Sequence, residues 1–83
     1  MSIDKQELVR RVSQRVERET GMVETVIDAT LEEIYESLQH GDSVSLRNFG
    51  TFYVRVEPKC WVFKFNPSQR LRKLFGWAST SKT

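Results

Sequence analysis

The chain has 83 residues, a size that suits a single domain whose core is near the smallest that holds a fold unaided. Nine aromatics (11%) and an apolar content of 39% exclude a disordered chain, and the lone Cys60 excludes an internal disulfide framework. No apolar run reaches signal-peptide or membrane-spanning length, so a soluble, cytoplasmic protein is expected.

The net charge of +2 hides an asymmetry. Residues 1–40 carry five Lys/Arg against nine Asp/Glu, and residues 41–83 carry eight Lys/Arg against only Asp42 and Glu57. An acidic half of −4 joined to a basic half of +6 points to one face meant for a polyanion.

The first helix opens at Asp4, an N-cap followed three residues later by Glu7, with Ile3 and Leu8 at the staple positions. Leu8, Val9, Val12 and Val16 recur at helical spacing, and the helix is expected to fade over Arg18–Gly21. In the second helix Val23, Val26, Ile27, Thr30, Leu31, Ile34 and Leu38 form the apolar stripe, opposite Glu24, Asp28, Glu32, Glu33 and Glu36. His40-Gly41 supplies a helix end, with Gly41 at the left-handed position. With no second His or Cys nearby, His40 reads as a helix-end residue and not as a metal ligand.

After Asp42 the apolar period drops to two. Val44 and Leu46 define a short strand, and Asn48-Phe49-Gly50 a turn built from residue types that tolerate positive φ. Phe52, Val54 and Val56 define the next strand. If Pro58-Lys59 is the loop, Val56 faces Trp61, Val54 faces Phe63 and Phe52 faces Phe65. That register gathers the large apolar residues on one face and leaves Tyr53, Arg55, Val62 and Lys64 on the other. Because proline disfavours the primed turns of two-residue hairpins, a slightly longer loop is the alternative. A third helix is expected with Asn66 as cap, Pro67 at N1 and Gln69 at N3, stopping at Phe75-Gly76. The order is α-α-β-β-β-α, with one domain over residues 1–76 and a polar tail over 77–83.

No catalytic constellation is present: His40 and Cys60 have no partner at a useful spacing, and there is no Gly-rich phosphate loop, HExxH or CxxC. The chain is read as a non-enzyme needing no cofactor, metal or small-molecule substrate. The basic half instead suggests nucleic acid, through Arg47, Arg55 and Lys64 on the outward sheet face, Lys59 at its tip, and Arg70, Arg72 and Lys73 after Pro67. Each of these also has an ordinary reading as solvated surface, and Trp61, Phe63 and Phe65 read as core before they read as a base-stacking platform.

Leu31–Phe52, LEEIYESLQHGDSVSLRNFGTF, resembles the helix–strand–turn signature of the HU/integration host factor family of bacterial DNA-bending proteins. Asp4–Leu8 resembles that family's first helix start, and FNPSQRLRKL (Phe65–Leu74) is similar to its C-terminal segment. The resemblance implies an α+β, intertwined homodimer with a helical base and a short three-stranded antiparallel sheet per protomer, acting on double-stranded DNA in the nucleoid. Pairing with a full-length relative is a variant of that assembly. The family's long β-ribbon arm with its intercalating proline is missing, since only 14 residues separate Phe52 from Pro67. Pro58 at the hairpin turn is not that proline, and Ser68 stands where the family usually has Gly. The expected function is therefore duplex binding through phosphates by Arg47, Arg55, Lys59, Lys64, Arg70, Arg72 and Lys73, with little sequence preference and little or no bending. The other expectation is a dimerisation or adaptor module that keeps this fold, binds a protein through the basic sheet face or Trp77, and has given up DNA.

Overall fold

The computed structural model describes residues 1–76; the tail expected over 77–83, with Trp77, lies outside the described residues. The order is α1 (Lys5–Val16), α2 (Thr20–Gln39), β1 (Val44–Leu46), β2 (Gly50–Val56), β3 (Trp61–Pro67) and α3 (Gln69–Leu74). The strands form one antiparallel sheet in the order β1-β2-β3. The described residues divide into two compact units, Met1–Tyr35 and the residues from Glu36 onward.

In the first unit Asp4 caps α1 by accepting from the Glu7 backbone N–H at 2.9 Å. The reciprocal half of a capping box is superseded, because the Glu7 carboxylate is taken by Arg10 (3.1 Å to Nε) and Arg11 (2.9 Å) one turn further on. These two guanidiniums hold the Glu7 carboxyl down at about 2. The helix ends earlier than the residue types suggest. Glu17 takes the left-handed conformation (φ 55°), and both its own N–H and that of Arg18 return to the Ser13 carbonyl. Gly21, expected near the stop, lies in the first turn of α2. Val9 and Val23 are the buried apolar residues here, and Lys5 ties α1 to α2 through Asp28 (3.0 Å) and Glu24 (3.3 Å). Both partners raise the Lys5 pKa, Asp28 the more strongly.

In the second unit α2 closes as its sequence indicates. Gly41 (φ 86°) donates to the Leu38 carbonyl and Asp42 to that of Ser37, each at 3.0 Å, the paired bonds of a Schellman end. His40 belongs to this helix end, its Nδ1 2.8 Å from the Glu36 carbonyl oxygen. The Leu46–Phe49 turn closes with a 3.0 Å bond and places Asn48 at φ 66°. Gly50 follows at φ 155°, where an added Cβ would lie 2.6 Å from the Asn66 carbonyl oxygen and 2.7 Å from the Phe65 ring.

The β2–β3 register matches the parity argument: Phe52 pairs with Phe65, Val54 with Phe63 and Val56 with Trp61. The Glu57 N–H donates to the Cys60 carbonyl at 2.9 Å, so the connection is the short one. Pro58 and Lys59 both keep negative φ, so the primed geometry that proline forbids is not used. One sheet face carries an aromatic cluster in which Phe52 lies 4.8 Å from Phe65 and 6.1 Å from Phe63, and Phe49 lies 5.7 Å from Phe65. This face is only partly covered: Trp61 is 54% exposed, Phe63 58% and Val56 70%.

Candidate nucleic-acid interface

All seven basic residues singled out from the sequence fall in the second unit. Arg47 is exposed in the Leu46–Phe49 turn, Lys59 is exposed at the hairpin turn, and Arg70, Arg72 and Lys73 are exposed on α3. Arg55 is exposed on β2, on the face opposite the aromatic cluster. Lys64 shares that face, opposite Tyr53, but only 8% of it is exposed. Its position in the register agrees with the parity reading. Its burial does not match an outward-pointing phosphate ligand.

Two side chains that the sequence reading had not paired shape the charge of this surface. The Glu57 carboxylate accepts from Arg55 Nε at 2.7 Å, two residues along the same strand face. The two-residue period already carried that signal. The Asn66 side-chain Oδ1 accepts from Arg72 at 2.7 Å, joining the end of β3 to α3, and no sequence period connects those positions.

The start of α3 differs from expectation. Asn66 continues β3 opposite Thr51, and Pro67 ends the strand opposite Gly50, so neither belongs to the helix. Ser68 is the cap: its Oγ accepts from the Leu71 N–H at 3.3 Å, and its own N–H donates to the Phe49 carbonyl at 2.9 Å. The physical reason is competition for backbone. Strand pairing with β2 occupies Asn66 and Pro67, and a serine hydroxyl at the first residue beyond the ladder caps as well as an asparagine does. The Ser68 and Leu71 N–H groups just after Pro67 are thus internally bonded. The same Ser68–Phe49 bond fastens the Arg47 turn to the α3 start, so Arg47 and the α3 basic residues stand at one end of the sheet. Lys59 stands at the other, about 20 Å away for six strand steps of about 3.3 Å.

Among the described residues no group of three or more His, Cys, Asp or Glu could hold a metal ion, and no helix is long and apolar enough to cross a membrane. What the surface offers is guanidinium and ammonium groups at an exposed sheet end, suited to phosphate oxygens.

Residues 3–60 match the family model described as "Bacterial DNA-binding protein". The integration host factor subunit alpha of Bordetella avium is 39% identical over 57 residues, 69% of this chain and 49% of that protein. The chain thus spans about half the length of the curated relatives it matches. Among solved structures, HU from Thermotoga maritima is 32% identical with a TM-score of 0.76, covering 87% of this chain and 97% of that one. An Anabaena HU–DNA cocrystal structure is 26% identical with a TM-score of 0.77, covering 87% and 96%. The α+β fold, two helices followed by a three-stranded antiparallel sheet and a closing helix, is that of HU. The family model and these relatives together identify the chain as a member of the bacterial DNA-binding protein family of HU and integration host factor, a family of non-enzymatic architectural proteins.

Proposed function

We propose that the chain binds double-stranded DNA as a homodimer, through phosphates and with little sequence preference, and bends it little or not at all. The observation that carries this reading is the exposure of Arg47, Arg55, Lys59, Arg70, Arg72 and Lys73 within one unit of a fold shared with an HU that was crystallised on DNA. Lys64 belongs to the contact set only if its ammonium reaches the surface from its largely buried position. Side chains of this kind contact phosphate oxygens, which carry no sequence information, so affinity comes mainly from counterion release. The hairpin supports weak bending. Seven-residue strands closed at Pro58-Lys59 span about 20 Å, too short to carry a wedge around a duplex and into its minor groove. A homodimer is supported by the uncovered apolar face of the sheet, where Val56, Trp61 and Phe63 lack the cover that a small core needs. The site of action is the cytoplasmic nucleoid.

The test is a fluorescence anisotropy titration with random-sequence duplex at low and moderate salt. Binding should weaken steeply with salt, and Arg70→Glu with Arg72→Glu should weaken it alike on every sequence. Unchanged affinity in that variant removes α3 from the contact surface. No binding at low salt favours a dimerisation or adaptor module that has given up DNA.

A further inference from the structure

Charge is not spread evenly along the sheet. At the end formed by the Leu46–Phe49 turn and α3 stand Arg47, Arg70, Arg72 and Lys73, held together by the Ser68–Phe49 backbone bond and the Arg72–Asn66 bond. No Asp or Glu occurs between Ser43 and Val56 or anywhere after Glu57. Both carboxylates of the basic half belong toward the other end. Glu57 grips Arg55 at 2.7 Å beside the hairpin turn. Asp42 follows Gly41, whose Cα region lies against the Trp61 ring at the start of β3 (3.6 Å to an added Cβ). The hairpin end therefore carries Arg55 and Lys59 against Glu57 and Asp42, with no net charge. Among the described residues the turn–α3 end carries Arg47, Arg70, Arg72 and Lys73 and no Asp or Glu side chain.

We infer that the turn–α3 end of the sheet, and not the hairpin, is the principal phosphate-holding surface of this protein, and that Glu57 restrains the hairpin end by engaging Arg55. This rests on the duplex reading above and deepens it. A phosphate approaching the hairpin meets a guanidinium already neutralised and a carboxylate that repels it, so Lys59 alone attracts it there. At the other end no Asp or Glu side chain opposes Arg47, Arg70 and Lys73, and each phosphate neutralised releases a counterion. Arg72, oriented by Asn66, is the pre-positioned member. Arg47, Arg70 and Lys73 surround it.

The experiment compares the full chain with three variants on one labelled random-sequence duplex, across a salt series. Arg47→Gln with Arg70→Gln and Lys73→Gln should lose at least about tenfold in affinity at low salt and show a shallower salt slope. Lys59→Gln should change affinity by less than about threefold, and Glu57→Gln should tighten binding by about two- to threefold. A Lys59→Gln loss equal to or larger than that of the triple variant overturns the inference, as does a Glu57→Gln variant that binds no better than the parent. If far-UV circular dichroism shows the triple variant unfolded, Arg70→Gln alone carries the test and must lose more than Lys59→Gln. A parent chain that does not bind duplex at low salt defeats the duplex reading itself. Failure of the variant order with parental binding intact defeats only the placement.

Discussion

Gly50 and Gly41 show how differently two glycines constrain this fold. Both have positive φ, but only Gly50 lacks room for a side chain, facing the Asn66 carbonyl and the Phe65 ring at 2.6–2.7 Å. The space beside Gly41 would admit a methyl group in ordinary contact with Trp61 at 3.6–3.7 Å. Gly41→Ala should cost only the left-handed backbone penalty, about 1–2 kcal/mol. Gly50→Ala adds the displacement of β3, on the order of 1–3 kcal/mol more. Urea unfolding midpoints should therefore fall in the order parent, Gly41→Ala, Gly50→Ala, and equal losses would show that the Gly50 contact relaxes freely. The need for glycine was legible at both positions, one as a helix stop and one as a turn. The difference between them was not, because it comes from a strand fifteen residues or more further along the chain. The left-handed Glu17 was not legible either, since nothing in a glutamate announces that conformation.

Two elements, α1 and α3, are governed by side chains at their N-terminal ends. In α1 the Glu7 carboxylate is held at about 2, against an ordinary value of 4.5, chiefly by hydrogen bonds from Arg10 and Arg11. A depressed carboxyl stabilises the fold above its unfolded value, and that contribution drains away as pH falls from about 4.5 towards 2. The thermal midpoint of Glu7→Gln should lie below the parent at neutral pH, and the two should converge towards pH 2. Parallel curves over that range would mean that the Glu7–Arg bonds add nothing. Added salt should shrink the difference, because the pairs are exposed. In α3 the cap is Ser68. Ser68→Ala should cost about 0.5–2 kcal/mol, and an Asn66→Ala loss of the same size arising from helix fraying would contradict the strand placement of Asn66. Asn66 was a reasonable cap from local sequence alone. What displaced it is the β2 ladder, which extends to Pro67 because Gly50 and Thr51 are there to pair with it.

For the whole molecule, exposed apolar surface is the controlling fact. Val9 and Val23 are the buried apolar side chains of the first unit, while Leu8, Val16, Met22, Val26, Leu31 and Tyr35 stay exposed there. If a second copy covers such surface, folding and association are one equilibrium. The thermal midpoint should then rise with protein concentration. A midpoint independent of concentration, with a monomer mass by light scattering, would contradict the homodimer. Bending is tested at the same scale. Circularly permuted duplexes bound by the chain should migrate alike in gels, whereas position-dependent mobility would show a bend that the short hairpin does not explain.

From the sequence by itself follow the element order, the stop of α2 at Gly41, the hairpin register and the family resemblance. Each depends on near neighbours: caps, turn residues and a two-residue alternation read along adjacent strands. The tertiary structure decided the rest. Strand pairing assigned Asn66 and Pro67 to β3 and left the cap to Ser68. Packing buried Lys64 on a face that alternation alone would leave open, and a fold-level bond from Ser68 to Phe49 brought the Arg47 turn beside α3. Those outcomes arise between residues distant in sequence, where the period of a single element carries no information about which partner a side chain meets.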